Sequence, residues 1–158
     1  MADTATPPVP AELAAAPIRV GEHFGRTLRY STAQIVEFAR LSLDTNPLHQ
    51  DQRAARASVF EGIIASGQQS SAIMMGLVAS HFSRHDDGLQ REMLCLNFNF
   101  AFKAPIRAEV DIDMRWFVSA ADFNARLNGW VGQLNGSALC GGTDCVVARG
   151  TVLVKRLN

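Results

Sequence analysis

Leu94-Cys95-Leu96-Asn97-Phe98-Asn99-Phe100-Ala101-Phe102 decides the fold of this chain. Large apolar residues take every second position, and Cys, Asn or Ala fills the places between. A period of two puts one set of side chains on one face of a strand. Just upstream the period is different. Ser66 and Gln69 have the S-x-x-Q spacing of a helix start. Ala72, Ile73, Met74, Met75, Leu77, Val78, Ala79 and Phe82 then cover most of the helix circumference. Such a helix is expected to be buried on more than one side. The phenylalanine stripe of residues 98 to 102 is the face expected to receive it.

Downstream, Val110, Ile112, Met114, Trp116 and Val118 alternate with Glu109, Asp111, Asp113 and Arg115, a second strand. A third is expected over 124–134, weakened by Gly129 and Gly132. Asn135-Gly136 then reads as a hairpin turn, because both residues tolerate positive φ. The last strand is expected over 144–156, with Gly150 marking a bulge. Upstream, 18–30 reads as a first strand broken near Gly21 and Gly25. Ser31 and Gln34 open a helix with an apolar face of Ile35, Val36, Phe38, Ala39 and Leu43, which stops at Asp44. Asp51 caps a short helix reaching Ser58. Strand, helices and then a run of antiparallel strands make an α+β domain, one long helix against a curved sheet.

A length of 158 residues fits one domain, expected over 18–158. Residues 1–17, rich in Ala and Pro, read as a flexible arm without the features of a signal peptide. Fifteen basic and fifteen acidic residues leave no net charge to attract nucleic acid or an anionic membrane. No apolar run is long enough to cross a membrane. Cys95, Cys140 and Cys145 follow neither disulfide nor zinc spacing, so a reducing cytoplasm is the simplest setting.

The chemistry concentrates in Asp44-Thr45-Asn46-Pro47-Leu48-His49. Pro47 biases Asn46 away from the α region, so a carboxylate and an imidazole sit five residues apart on a short turn. An acid and a base so held suit acid–base work on one water molecule. Taken alone, Asp44 is as well explained as the cap of an Asx-Pro turn. His81 and His85, four apart beside Asp86 and Asp87, have the spacing of a zinc pair, but a solvated helix end is the simpler reading. Met74 and Met75 serve equally as core or as the wall of a ligand tunnel.

Phe38-Ala39-Arg40-Leu41-Ser42-Leu43 followed by the Asp44–His49 turn resembles the hydratase motif of MaoC-like dehydratases and (R)-specific enoyl-CoA hydratases. Phe60-Glu61-Gly62-Ile63-Ile64-Ala65-Ser66-Gly67 resembles the second segment of that family, which leads into its central helix. The resemblance spans about 18–156. It implies a hot-dog fold, a homodimer with the two sheets side by side, and acyl thioesters of coenzyme A or acyl carrier protein as substrates. It implies Asp44 as the main base, His49 as positioner and proton partner, and Asn46 and Pro47 as builders of the turn. Ser66 and Gly67, at the helix N-terminus, would receive the thioester oxygen. No metal or redox cofactor is required.

Two positions depart from the family pattern. Leu43 stands where Gly is usual. Leucine does not readily take positive φ, so either the turn differs here, or the family glycine serves packing and Leu43 lines the acyl pocket. Ser66 stands where many members have His, and it is a good N-cap. On this reading the chain hydrates 2-enoyl thioesters. A thioesterase on the same fold and a non-catalytic acyl-thioester-binding subunit are the rivals.

Overall fold

The computed structural model describes residues 16–157. The chain runs β1 (His23–Arg29), α1 (Thr32–Leu41), a 3-10 turn (Pro47–His49), α2 (Gln52–Ala57), α3 (Gly67–Phe82), β2 (Arg91–Phe102), β3 (Asp111–Asn124), β4 (Gly129–Cys140) and β5 (Thr143–Arg156). The five strands form one antiparallel sheet in the order β1-β3-β4-β5-β2. This is the expected α+β arrangement, and the sheet packs α3 against its inner face. Met74, Val78 and Phe82 of α3 are fully buried with Trp116, Met114, Val118 and Val152 of the sheet. Each such side chain contributes about 1.5–3 kcal/mol by leaving water. The indole Nε1–H of Trp116 donates to the Met74 carbonyl at 3.0 Å, which fixes the helix over the sheet.

The expected helix starts are present. Ser31 Oγ accepts from Gln34 N–H, and the Gln34 side chain accepts from Ser31 N–H, a complete capping box. Asp51 Oδ1 accepts from the N–H groups of Arg53 and Ala54. Ser66 Oγ accepts from Gln69 N–H at 3.2 Å. The Gln69 side chain does not close the box, and its buried Oε1 has no partner among the described residues.

Several sequence expectations are corrected. The first strand is shorter than 18–30: Gly21, at φ +86°, belongs to the turn before it, and Gly25 continues the strand unbroken. Asn135-Gly136 is not a turn. Both residues lie inside β4, paired with Phe117 and Trp116 on one side and with Arg149 and Ala148 on the other. A Cβ at Gly136 would lie 2.6 Å from the Trp116 ring, so the glycine makes room for the indole. The hairpin turn is Gly141-Gly142, both at positive φ. Gly150 is no bulge either; it stays in register with Phe98, whose ring lies 2.4 Å from where its Cβ would be. In the single chain α3 also carries an exposed stripe, formed by Gln68, Ala72, Gly76 and Ser80.

Of the expected N-terminal arm, residues 1–15 lie outside the described residues. Ala16 and Pro17 are buried, and the Pro17 carbonyl accepts from Arg91 Nε at 3.1 Å. His81 is not a solvated residue: its Nε2 lies 2.7 Å from Glu22 Oε1, and its ring stacks on Phe24. Among the described residues no cluster of three or more His, Cys, Asp or Glu could hold a metal. No helix among them is long and apolar enough to cross a membrane.

Candidate functional site

The α1 helix ends in a turn that aims Asp44. Leu43 N–H donates to the Arg40 carbonyl at 3.2 Å and Asp44 N–H to the Ala39 carbonyl at 2.8 Å. That pair of bonds is the Schellman pattern, which needs a left-handed residue after the helix. Leu43 fills that place at φ +58°. The leucine therefore takes the backbone shape for which a glycine is usual, and its side chain is 87% exposed, so it does not line the pocket.

The rest of the turn is held by its own polar groups. Asp44 Oδ1 accepts from Asn46 N–H at 2.9 Å, and Asn46 Oδ1 accepts from Leu48 N–H at 3.1 Å. With Oδ1 committed, Asp44 turns Oδ2 toward His49. Asn46 caps the 3-10 turn and Pro47 fills its first position, which needs no N–H. Both are builders of the turn, and Asn46 Nδ2 also reaches His49 Nε2 at 3.5 Å.

His49 is fixed by the second segment. Its Nδ1 lies 2.7 Å from the Ile64 carbonyl, and Ile64 N–H donates to the Leu48 carbonyl at 3.3 Å. The segment is anchored in turn by Ala65 N–H on the Ile106 carbonyl and Ala108 N–H on the Ile63 carbonyl. A ring whose Nδ1–H is given to a carbonyl presents Nε2 as an acceptor when neutral. Nε2 faces Asp44 Oδ2 at 3.8 Å, with the His49 and Asp44 side chains only 10% and 16% exposed.

That separation is too long for a direct hydrogen bond. A water about 2.8 Å from both atoms would see them at about 86°, close enough to its own angle to donate one O–H to each. In that position the two acceptors would hold one water between them.

The cavity, about 890 Å³, is lined by Asp44 and His49, by the N-cap Ser66 and by Gly67, Ser70 and Met75 of α3, and by the strand exit from Phe102 to Ile106. Lys103 and Ala104 N–H groups donate to the Cys145 carbonyl, which ties that exit to β5. The N-terminus of α3 opens onto this space, and the N–H groups of Gly67 and Gln68 have no acceptor among the described residues. Gly67 has a packing reason to lack a side chain: its Cβ would lie 2.7 Å from the Phe102 ring. The two methionines part company. Met74 is core and Met75 lines the cavity. The sequence motifs thus meet in one place. The Ile64 carbonyl, the Gln50 side chain and the Phe102–Ile106 wall were not signalled by any motif.

Residues 15–126 match the family described as MaoC like domain, well over half the chain. The chain is 28% identical over 94 residues to an (R)-specific enoyl-CoA hydratase of Aeromonas caviae, covering 60% of this chain and 66% of that protein. It is 32% identical over 65 residues to a mitochondrial 3-hydroxyacyl-[acyl-carrier-protein] dehydratase of Arabidopsis thaliana, covering 41% and 39%. Each alignment spans less than two thirds of the relative. The solved structure of the (R)-hydratase from A. caviae involved in PHA biosynthesis superposes with a TM-score of 0.74 at 24% identity, over 85% of this chain and 96% of that one. Its likeness carries the fold: a sheet around a central helix, the hot-dog architecture. With the fold and the matched residues together, the chain belongs to the MaoC-like domain family.

Proposed function

We propose that the chain catalyses reversible hydration of 2-enoyl thioesters, trans-2-enoyl-CoA to (R)-3-hydroxyacyl-CoA, with the water held between Asp44 and His49. The observation that carries this reading is the convergence of Asp44 Oδ2 and His49 Nε2 at 3.8 Å on the wall of the cavity that receives the α3 N-terminus. The names of the two relatives support the hydro-lyase class and, in one, the (R) product.

In this mechanism the water oxygen bonds to C3 as Asp44 removes its proton. The C2–C3 π pair moves through the carbonyl carbon onto the thioester oxygen. His49 orients the water and shares the proton, which is then delivered to C2. The transient negative charge on oxygen falls at the N-terminus of α3, on Gly67 N–H, with Ser66 as the cap that shapes this end. One preorganised donor of this kind contributes roughly 2.7–4 kcal/mol in the transition state. No electron leaves the substrate, so the proposal needs no redox cofactor, and the α3 N-terminus takes the charge that a Lewis-acid metal would otherwise take. Coenzyme A or acyl carrier protein enters as part of the substrate.

A homodimer belongs to the same reading. One edge of β2 has no partner strand among the described residues, and Leu94 and Leu96 are 57% and 46% exposed there. A bare apolar edge is normally covered. A second copy would also reach the exposed stripe of α3.

The test is hydration of crotonyl-CoA, followed as loss of enoyl absorbance, in the wild type, Asp44→Asn and His49→Ala. Losses on the order of 10²–10⁴-fold in both folded variants are expected for a water-activating pair. Wild-type turnover that survives both changes would overturn the assignment. Release of free thiol without hydration would indicate a thioesterase.

A further inference from the structure

We infer that Gln50 is a positioning residue for the Asp44–His49 pair, a clamp that holds the strained turn shut; this rests on the function proposed above. The Gln50 side-chain Nε2 donates to the backbone carbonyl of Asp44, six residues earlier. That bond joins the two ends of the segment that carries the pair. Gln50 itself follows directly on His49, and its own N–H donates to the Pro47 carbonyl at 3.2 Å. The Asp44 carbonyl lies past the end of α1, and no backbone N–H among the described residues donates to it.

The turn needs holding because of Leu43. A leucine in the left-handed region is strained, and its side chain finds no compensating contact at 87% exposure. Strained backbone persists where its surroundings over-determine it. Here the bonds on the helix side are those of Leu43 and Asp44 N–H to α1. On the far side, the contact that reaches back to residue 44 from beyond His49 is the Gln50 amide. Without it, Leu43 can relax toward negative φ by turning about its own N–Cα bond, which gives up the Asp44 N–H bond to the Ala39 carbonyl and carries the Asp44 backbone along. The carboxylate would then swing away from His49 Nε2, since its direction follows its backbone. With glycine at 43 there is no strain to release, and the clamp matters less.

The experiment is a double-mutant cycle on the full chain between Gln50→Leu and Leu43→Gly, with Gln50→Glu as a second probe that keeps size and removes the donor. In the Leu43 background Gln50→Leu is expected to lower kcat for crotonyl-CoA hydration roughly 10- to 100-fold with KM little changed, the signature of lost alignment. In the Leu43→Gly background the loss should shrink several-fold. Gln50→Glu should behave like Gln50→Leu.

Amide hydrogen exchange provides a readout independent of turnover. Exchange at Asn46, Leu48 and His49, whose N–H groups all bond within the turn, should quicken in Gln50→Leu while α3 keeps wild-type protection. Quickened exchange in a protein that turns over no enoyl thioester would uphold the clamp and reject the proposed function. Unchanged kcat together with unchanged exchange would overturn the clamp, as would equal losses in both backgrounds.

Discussion

His49 Nδ1 lies 2.7 Å from the carbonyl oxygen of Ile64, fifteen residues along the chain. The contact joins the two segments that carry the family pattern, and on the second segment's side it is made by backbone rather than by a side chain. A carbonyl accepts only, so it selects the tautomer with the proton on Nδ1 and leaves Nε2 open toward Asp44. The expected outcome is a ¹⁵N NMR pattern for neutral His49 with Nδ1 protonated and Nε2 bare. A ring protonated on Nε2 would mean that the nitrogen facing Asp44 is a donor, and the two-acceptor cradle for water would not exist.

Leu43→Gly should stabilise the chain. The left-handed conformation at φ +58° costs a leucine about 1–2 kcal/mol. Glycine gives back about 0.5–1 kcal/mol through the greater freedom of its unfolded chain. Little packing is lost, since the side chain is mostly in solvent. The net expectation is about 0.5–1 kcal/mol, read as a rise of roughly 1–4 °C in Tm. A lowered Tm would show that the leucine makes contacts that outweigh its backbone.

Gly67→Ala tests the approach of Phe102 to the helix start. The added Cβ would stand 2.7 Å from Cζ and 2.8 Å from Cε1 of the ring. Phe102 is at the end of its strand and 55% exposed, so the ring can swing rather than unfold the core. Its new position falls in the cavity or its mouth. The expected result is a Tm near wild type with crotonyl-CoA kcat/KM lowered roughly tenfold or more, partly restored by the double variant Gly67→Ala/Phe102→Leu. No change in the single variant would place the substrate elsewhere.

These residues also explain what the sequence revealed and what it hid. The Ser31, Asp51 and Ser66 caps and the Asp44–His49 turn are local constructions, closed by atoms within a few residues, so their spacing is readable. Gly136 and Gly150 mislead because the same residue type serves two physical purposes. A glycine marks a turn through its φ, or a close approach through its missing Cβ. Here the reason was the Trp116 ring in one case and the Phe98 ring in the other. Those rings arrive from neighbouring strands, and only the sheet register brings them there. The Ile64 carbonyl was invisible for the same cause: every residue has a carbonyl, and its role is set by tertiary position. Gln50 sat beside a motif but carried no spacing rule.

Acid should loosen the far end of α3 first. Burial raises the Glu22 carboxyl, but hydrogen bonds from His81 and Arg84 outweigh it and hold the group at about 2. A folded pKa below the unfolded value of 4.5 contributes stability that is complete above 4.5 and is lost as pH falls toward 2. Asp87, held below the ordinary carboxylate range by Arg91, adds in the same direction. Glu22→Gln should therefore be less stable than wild type at pH 7, and the gap should close between pH 4.5 and 2. Urea denaturation at a series of pH values measures it. A gap that stays constant with pH would mean that the Glu22 charge contributes nothing and that only its shape matters.

Met75 and Met74, adjacent on α3, should respond oppositely to the same substitution. Met75 lines the cavity, whereas Met74 is fully buried against the sheet. Met75→Ala removes a flexible side chain from the wall and makes room for a longer acyl chain. Each methylene that then leaves water is worth about 0.8 kcal/mol, or roughly fourfold in kcat/KM. Hexenoyl- and octenoyl-CoA should gain on crotonyl-CoA by about that factor for each added methylene that fits. Met74→Ala should instead cost about 2–5 kcal/mol of stability and leave the chain-length ratio as in the wild type. If Met75→Ala leaves the ratio unchanged while Met74→Ala shifts it, the acyl chain runs through the core side of α3, and the cavity beside Asp44 and His49 is not its tunnel.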